Sequence, residues 1–137
     1  MKTLIFLFAL TCLALLFSSC KKDDPELTKT DLLTLKSWKR TALKVSGVDS
    51  QQDECSSNDI YTFFKDASYS LDEGATKCLP DDDQVISGNW NFVEGESKIR
   101  ISFSGISLFN KEIIELTPSV LKVRFNFIVD FEETYTH

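Results

Sequence analysis

Two segments of this chain alternate strictly between apolar and polar residues, and this alternation restricts the fold more than any other feature. In residues 98–103 the side chains of Ile99, Ile101 and Phe103 share one face, and residues 121–127 repeat the pattern. Alternation with a period of two is typical of a β-strand with one face in a core and the other in water. The chain is therefore expected to fold as antiparallel sheet.

Further strands are predicted where β-branched and aromatic residues lie between turn signals. The predicted strands are 38–45, 60–65, 68–71, 85–93, 98–103, 111–116, 121–127 and a last one through Val129, Phe131 and Tyr135. Short turns at 65–66, 94–97 and 117–119 connect them, and a helical turn at 30–36, capped by Thr30, precedes them. Short strands joined in sequence without a long helix predict an all-β fold, either an up-and-down barrel or a sandwich.

The N-terminus has the pattern of an export signal. Lys2 precedes an apolar run at 4–17, and Ser18 and Ser19 stand before Cys20. The run is short for a helix that crosses a hydrocarbon core of about 30 Å, so cleavage before Cys20 is predicted. A cysteine directly after the cut resembles the lipobox of bacterial lipoproteins, in which that thiol is lipidated. An ordinary cleaved signal peptide is the alternative.

Lipidation of this cysteine would tether a soluble domain to a membrane. Residues 1–19 are predicted to be the signal peptide, 20–30 a charged tether and 31–137 one folded domain. The Lys-Asp-Asp run at 22–24 resembles the short tag that sends such lipoproteins to the outer face of the outer membrane, and a solvated spacer is the alternative. The protein is therefore predicted to be exported and lipid-anchored in the outer membrane, on its periplasmic or cell-surface face.

The net charge limits the classes of binding partner, and the cysteines bear on the redox state of the cellular compartment. The formal charge is −6, and it becomes −7 once Lys2 is removed. An acidic chain without a basic stripe does not favour nucleic acid, whereas a basic protein partner is compatible with it. Cys55 and Cys78 remain in the folded part, where an oxidising compartment favours a disulfide between them. Their spacing is not CxxC and no histidine accompanies them, which argues against a redox or metal site.

Catalytic and metal chemistry have few candidates in this sequence. The single histidine is His137, the last residue, and chain termini are usually mobile. Neighbouring carboxylates such as Glu132 and Glu133 do not supply the two groups that glycosidases hold across a cleft. The acidic run at 81–83 lacks the alternating ligands and the glycine of a calcium loop. The sequence therefore predicts no enzyme activity, no metal site and no cofactor.

The order of several motifs resembles the small lipocalin-like lipoproteins of the Bacteroidetes type. Residues 35–38, Leu-Lys-Ser-Trp, are similar to the Leu-x-Gly-x-Trp start of the first strand in lipocalin-like domains, although the glycine is absent here. Cys55, Cys78 and the Gly-Asn-Trp of 88–90 follow in the expected order. The resemblance covers about residues 31–137. It implies an eight-stranded antiparallel up-and-down barrel, or a half-barrel, that binds a small apolar ligand.

Aromatic side chains are the candidates for lining the interior of such a barrel. The residues predicted to face inward and to bind ligand are Phe64, Tyr69, Trp90, Phe103 and Phe125, with Phe127 as a further inward-facing residue. Small eight-stranded barrels are either filled by side chains or hold one ligand. Two functions therefore stay open. One is binding of a small hydrophobic ligand, and the other is a filled interaction or inhibitor protein whose acidic loops engage a basic protein partner.

Overall fold

The computed structural model describes residues 25–137, with the side chains of Ser107 and Leu108 left aside. Cys20 and the predicted signal peptide lie outside these residues. The described elements are α1 (Lys29–Leu33), β1 (Trp38–Val45), β2 (Val48–Ser50), α2 (Glu54–Ser57), β3 (Ile60–Phe63), β4 (Ser68–Asp72), β5 (Val85–Val93), β6 (Lys98–Phe103), β7 (Ile106–Leu116), β8 (Val120–Asn126) and β9 (Asp130–Thr136). Neither of these helices is long and apolar enough to span a bilayer.

The strands form one antiparallel sheet that closes on itself. Neighbouring strands follow the order β2-β1-β3-β4-β5-β6-β7-β8-β9, and β1 also pairs with β9. That closing pair runs from Lys39 opposite Thr136 to Val45 opposite Phe131. Strands β1 and β3–β9 therefore form an eight-stranded barrel, which confirms the predicted fold class. Strand β2 is a short extension beside the end of β1.

Most strand bounds follow the alternation of the sequence. The bounds of β1, β5 and β6 are those predicted, and those of β3, β4 and β8 differ by one or two residues. Strand β7 begins at Ile106 rather than at residue 111. The reason is the tight turn at Ser104 and Gly105, both at positive φ, which joins β6 and β7 into one long hairpin. Strand β2 and helix α2 were not predicted, because each is only three or four residues long.

Helix α1 begins earlier than the sequence suggested. Its N-cap is Thr28, whose hydroxyl oxygen accepts a hydrogen bond from the Asp31 N–H at 3.1 Å, while the Asp31 carboxylate accepts from the Thr28 N–H at 3.2 Å. This reciprocal pair is a capping box. The predicted helical turn is confirmed, but the assignment of Thr30 as its cap is wrong. The helix also starts within the segment that was assigned to the tether.

Helix α1 closes one end of the barrel. Leu33 and Trp38 have no exposed surface, and the Trp38 indole N–H donates to the Leu33 carbonyl at 2.9 Å. The His137 ring lies 4.1 Å from the Trp38 ring, centroid to centroid, and its nitrogens lie 2.8 and 2.9 Å from the carbonyl oxygens of Ser37 and Pro118. The expectation of a mobile C-terminal residue is therefore wrong, because these contacts hold it against the closed end.

The opposite end of the barrel, called the mouth below, carries every second strand connection. These are the turns at 46–47, 104–105 and 127–129 and the long segment at 73–84. A disulfide joins Cys55 in α2 to Cys78 in the long segment, with Cα atoms 4.9 Å apart, and confirms the predicted pairing. Closing a loop of this length stabilises a fold by about 3 kcal/mol in the chain-entropy account.

Candidate binding site at the mouth of the barrel

The centre of the barrel is filled by side chains. Between Tyr61, Phe63, Ile99 and Tyr135 there remains a cavity of only about 10 Å³. A single water needs roughly 10–15 Å³ by the same measure. The middle of the barrel therefore has no room for an organic ligand.

An apolar cleft opens above this filled layer, on the side of the mouth. Its volume is about 140 Å³. It is lined by Tyr69, Leu71, Ile101, Phe103, Phe109 and Lys111. Ile101 and Lys111 also border the small central cavity, so the cleft runs from the mouth down to the packed layer. The alternation of β4, β6 and β7 explains this wall, since every second side chain of these strands points inward.

A chain of aromatic contacts surrounds the cleft. Phe103 packs edge-to-face on Tyr69 with ring centroids 5.4 Å apart. On the other side Phe109 lies 5.3 Å from Phe125 and 5.5 Å from the exposed Phe127. These contacts extend the apolar surface from the cleft wall to the rim of the mouth. The rim residue Ile128, next to Phe127, is 83% exposed.

The predicted ligand-binding residues do not all reach this cleft. Tyr69 and Phe103 line it, and Phe125 adjoins it through Phe109. Trp90 is buried, as expected of an inward residue, but it packs on Phe63 and Phe92 below the cleft.

Two of the predicted inward positions are wrong. Phe64 is 44% exposed and Phe127 is 64% exposed. Phe63 is the last residue of β3 and points inward, so the alternation places Phe64 outward. Phe127 lies just after β8, in the turn that leads to β9.

A buried polar network, which was not predicted from the sequence, lies beside the cleft. The Glu133 carboxylate accepts from Arg40 at 2.9 Å, from Lys111 at 2.5 Å and from the Tyr135 hydroxyl at 2.6 Å. The side chains of Arg40, Lys111 and Glu133 are 13%, 16% and 6% exposed. Gln52 accepts a further hydrogen bond from Arg40. Two cations thus share one carboxylate in a largely dry environment.

The ionisation of Glu133 follows from these contacts. Burial raises its pKa, but the charge and hydrogen bond of Lys111, the Tyr135 hydroxyl and the charge of Arg40 together outweigh burial and lower the pKa overall. The carboxylate therefore stays ionised inside the barrel. Lys111 also lies over the face of the Phe125 ring, with its Nζ atom 4.8 Å from the ring centroid, in the geometry of a cation–π contact.

Two further carboxyl groups are buried on another side of the mouth. Asp59 and Glu73 are each 8% exposed. Burial raises the pKa of Asp59, although the Tyr61 hydroxyl donates a hydrogen bond to it at 3.3 Å. One carboxylate oxygen of Glu73 has no hydrogen-bond partner among the described residues. Neither residue lines the apolar cleft.

Larger hollows on the outer surface have a different character. One of about 370 Å³ lies among the charged residues Lys44, Arg124, Asp130 and Glu132. Arg124 and Glu132 are paired there at 3.1 Å. Apolar ligands are held in sites with mostly apolar walls, and this hollow does not provide them. Within residues 25–137, no cluster of three or more His, Cys, Asp or Glu is arranged to hold a metal ion.

The network residues missed from the sequence had a weak signal in strand alternation. The last predicted strand runs through Phe131 and Tyr135, and Glu133 lies between them at the same period of two. Glu133 was instead considered only with its neighbour Glu132. A charged side chain on an inward face is unexpected by default, because charges are rarely buried unless they are paired. Its partners, Arg40 and Lys111, lie on strands that are distant in sequence.

Comparison with known proteins agrees with this architecture. A model of the lipocalin-like domain family matches residues 35–123, which is more than half of the chain. The chain belongs to the lipocalin-like domain family. At the level of the family, the lipocalin-like barrel is typically a ligand-binding fold rather than that of an enzyme.

A solved structure shares the lipocalin-like fold. It is a crystal structure of a lipocalin-like protein from Bacteroides uniformis, with a TM-score of 0.53 and 15% sequence identity. The match covers 77% of this chain and 97% of that chain. At this identity the likeness concerns the fold alone. None of the curated proteins compared with this lipocalin-like chain matches it.

Proposed function

We propose that this lipocalin-like protein is a non-catalytic binding protein that holds a small apolar group in the cleft at the mouth of the barrel. The observation that carries the proposal is the cleft of about 140 Å³ between Leu71, Phe103 and Phe109. An apolar cavity of about 150 Å³ in another protein stays dry and binds benzene. A group of that size, or a short alkyl chain, fits this cleft.

The size of the cleft limits the ligand. Pockets for drug-sized ligands measure about 300–1,000 Å³. A ligand of this protein is therefore small, or it inserts only one end into the cleft. In the second case the rest of the molecule would lie against the exposed rim residues Phe127 and Ile128 and the 66% exposed Ile106.

Calorimetric titration with octanol tests this proposal when two matched variants are compared. Leu71→Trp fills the cleft, and we expect it to weaken octanol binding at least tenfold. Ile114→Trp places the same side chain on β7, at a residue that is 41% exposed and absent from the cleft wall. This control should bind octanol as the unmodified protein does. Equal binding by both variants, or no binding by the unmodified protein, would overturn the proposal.

We also propose that the protein is exported and that a lipid on Cys20 anchors it to the outer membrane. This second proposal is supported by the N-terminal sequence pattern. Mass spectrometry of the protein purified from its own cells tests it. We expect an N-terminal Cys20 that carries acyl chains, and loss of membrane association in Cys20→Ala. A mature protein that begins at another residue, or that carries no lipid, would contradict it.

A second candidate function is recognition of a basic protein partner by the acidic segment Asp81–Asp83. Two observations favour it. These three residues are exposed, and the Cys55–Cys78 bridge anchors their segment to α2. Exposed charges are screened within about 8 Å at physiological salt, so such binding should weaken as salt rises. Capture of the basic protein lysozyme that is equal at low and high salt, or unchanged on replacing all three with Asn, would rule it out.

A further inference from the structure

We propose that the ligand of the mouth cleft is an amphipathic anion, with a carboxylate that pairs with Lys111 and an apolar part that lies against Phe103 and Phe109. This inference rests on the proposed function, because it names the chemical class of ligand for the same cleft. It goes further in assigning a polar recognition residue.

The first argument is the composition of the cleft wall. Of its six residues five are apolar or aromatic, and the sixth is Lys111. Among the described residues no carboxyl group lines it, and Asp59 and Glu73 lie elsewhere at the mouth. The charged contact that this wall offers to a ligand is therefore a cation. Ligand sites typically combine mostly apolar walls with a few placed polar groups that fix orientation.

The second argument is the hydrogen-bonding capacity of Lys111. An ammonium group has three N–H donors. Among the described residues, Lys111 donates to two acceptors, the Glu133 carboxylate at 2.5 Å and the Tyr135 hydroxyl oxygen at 3.3 Å. Tyr135 uses its own hydroxyl hydrogen for Glu133. The third N–H of Lys111 can therefore donate a hydrogen bond to a ligand oxygen at the floor of the cleft.

The third argument is the charge beside the cleft. Lys111 is paired with Glu133, whereas Arg40 interacts both with Glu133 and with the buried carboxyl group of Asp59. The side chains of Lys111 and Glu133 are mostly shielded from solvent, where an electrostatic interaction is stronger than in bulk water. Of these groups Lys111 borders the cleft, so a ligand carboxylate there would be attracted and an alkylammonium group would be repelled. The cleft therefore favours an anionic head group over a cationic one.

Ligands with matched chains and different head groups test the inference on the unmodified protein. The three probes are octanoate, octanol and octylamine, and the measurement is the dissociation constant of each by calorimetry. We expect octanoate to bind at least about tenfold more tightly than octanol, because a hydrogen bond between two ionised groups is stronger than the one that Lys111 can donate to a neutral hydroxyl. Octylamine should bind most weakly.

Substitutions of Lys111 test whether this residue causes the preference for octanoate. Lys111→Met should abolish the preference for octanoate over octanol, measured as the ratio of the two dissociation constants, and Lys111→Arg should retain part of it. If Lys111→Met does not fold, the head-group series on the unmodified protein and on Lys111→Arg still decides the matter.

The possible results separate the two proposals. If octanol binds and octanoate binds no more tightly, or if octylamine binds most tightly, the anionic ligand is ruled out and the apolar cleft stands. An octanoate preference that survives in Lys111→Met overturns the assignment of Lys111. If none of the three probes binds, the proposed function fails and this inference with it.

Discussion

Glu133 on β9 and Lys111 on β7 meet inside the barrel, with the carboxylate oxygen and the ammonium nitrogen 2.5 Å apart. Strand β8 lies between their strands in the sheet, so the contact spans the interior rather than following the sheet surface. Arg40, on β1 at the far side of β9, completes the network. The network therefore links three strands on either side of the barrel closure.

Removal of the Glu133 charge should destabilise the barrel strongly. Glu133→Gln leaves Arg40 and Lys111 buried without their counterion, and breaking a buried ion pair in this way costs about 3–5 kcal/mol. Its neighbour provides a matched control. Glu132 pairs on the outside with Arg124, which is 49% exposed, so Glu132→Gln should change stability by about 0–1 kcal/mol. Urea denaturation measures both, and similar losses in the two variants would contradict the account.

The contribution of Glu133 to the free energy of unfolding should depend on pH. Its pKa is lower in the folded protein than in the unfolded chain, where a glutamate has a pKa of about 4.3. A group of this kind stabilises the fold above the unfolded pKa, and the stabilisation is lost as pH falls through the folded pKa. The difference in unfolding free energy between the unmodified protein and Glu133→Gln should therefore be constant well above the unfolded pKa of about 4.3 and shrink as the pH falls below it. A constant difference would contradict the lowered pKa.

Asp31 in the capping box should remain ionised in moderately acidic solution. The hydrogen bond from Lys65 at 2.6 Å, followed by those from Thr28, lowers its pKa to about 2. An NMR titration of the carboxyl carbon should show this value, and Lys65→Met should raise it. Asp66 serves as the internal control, because its lowered pKa comes from Ser68 and should not respond to Lys65→Met. An unchanged Asp31 in the variant would contradict the assignment.

Trp90 should matter for stability and not for ligand binding. Its indole N–H donates to the Phe64 carbonyl at 2.9 Å, and the residue lines neither the central cavity nor the cleft. Trp90→Phe removes this hydrogen bond and some core volume, which costs about 1–3 kcal/mol. Denaturation should show that loss, while calorimetry should show octanol affinity within twofold of the unmodified protein. A large loss of affinity in a folded variant would place Trp90 in the site.

The Cys55–Cys78 bridge should stabilise the barrel without being needed for its topology. Replacing both cysteines with serine removes the constraint on the unfolded chain and should cost about 3 kcal/mol. The circular dichroism of the folded state should stay that of a β-protein, since the bridge joins α2 to a loop and not two barrel strands. A variant that loses its sheet signal under native conditions would show that the bridge is required for folding.

The strands and the fold class were predictable because period-two alternation records which face of each strand is buried. The inward positions of Tyr69 and Phe103 follow from it directly. Phe64 was misplaced because it is adjacent to Phe63, and the pattern alone does not decide which of two neighbouring phenylalanines faces inward. The register of β3 against β4 decides it, because Phe63 stands opposite the inward-facing Tyr69.

The polar part of the candidate site was not predictable in the same way. The pairing of Arg40, Lys111 and Glu133 depends on closure of β1 against β9 and on the register of β7–β9, and these are long-range properties of the barrel. A single sequence shows three separated charges. Only closure brings them within hydrogen-bond distance, where one carboxylate makes the burial of two cations tolerable.

The most direct test of the account is an NMR titration with octanol that follows the methyl groups of Leu71 and Ile101 in the cleft and of Val48 and Ile114 outside it. The account predicts saturable chemical-shift changes at Leu71 and Ile101, with little change at Val48, which is 70% exposed, or at Ile114. Shifts confined to the exposed methyl groups, or no saturable shift at all, would contradict a binding site at the mouth of the barrel.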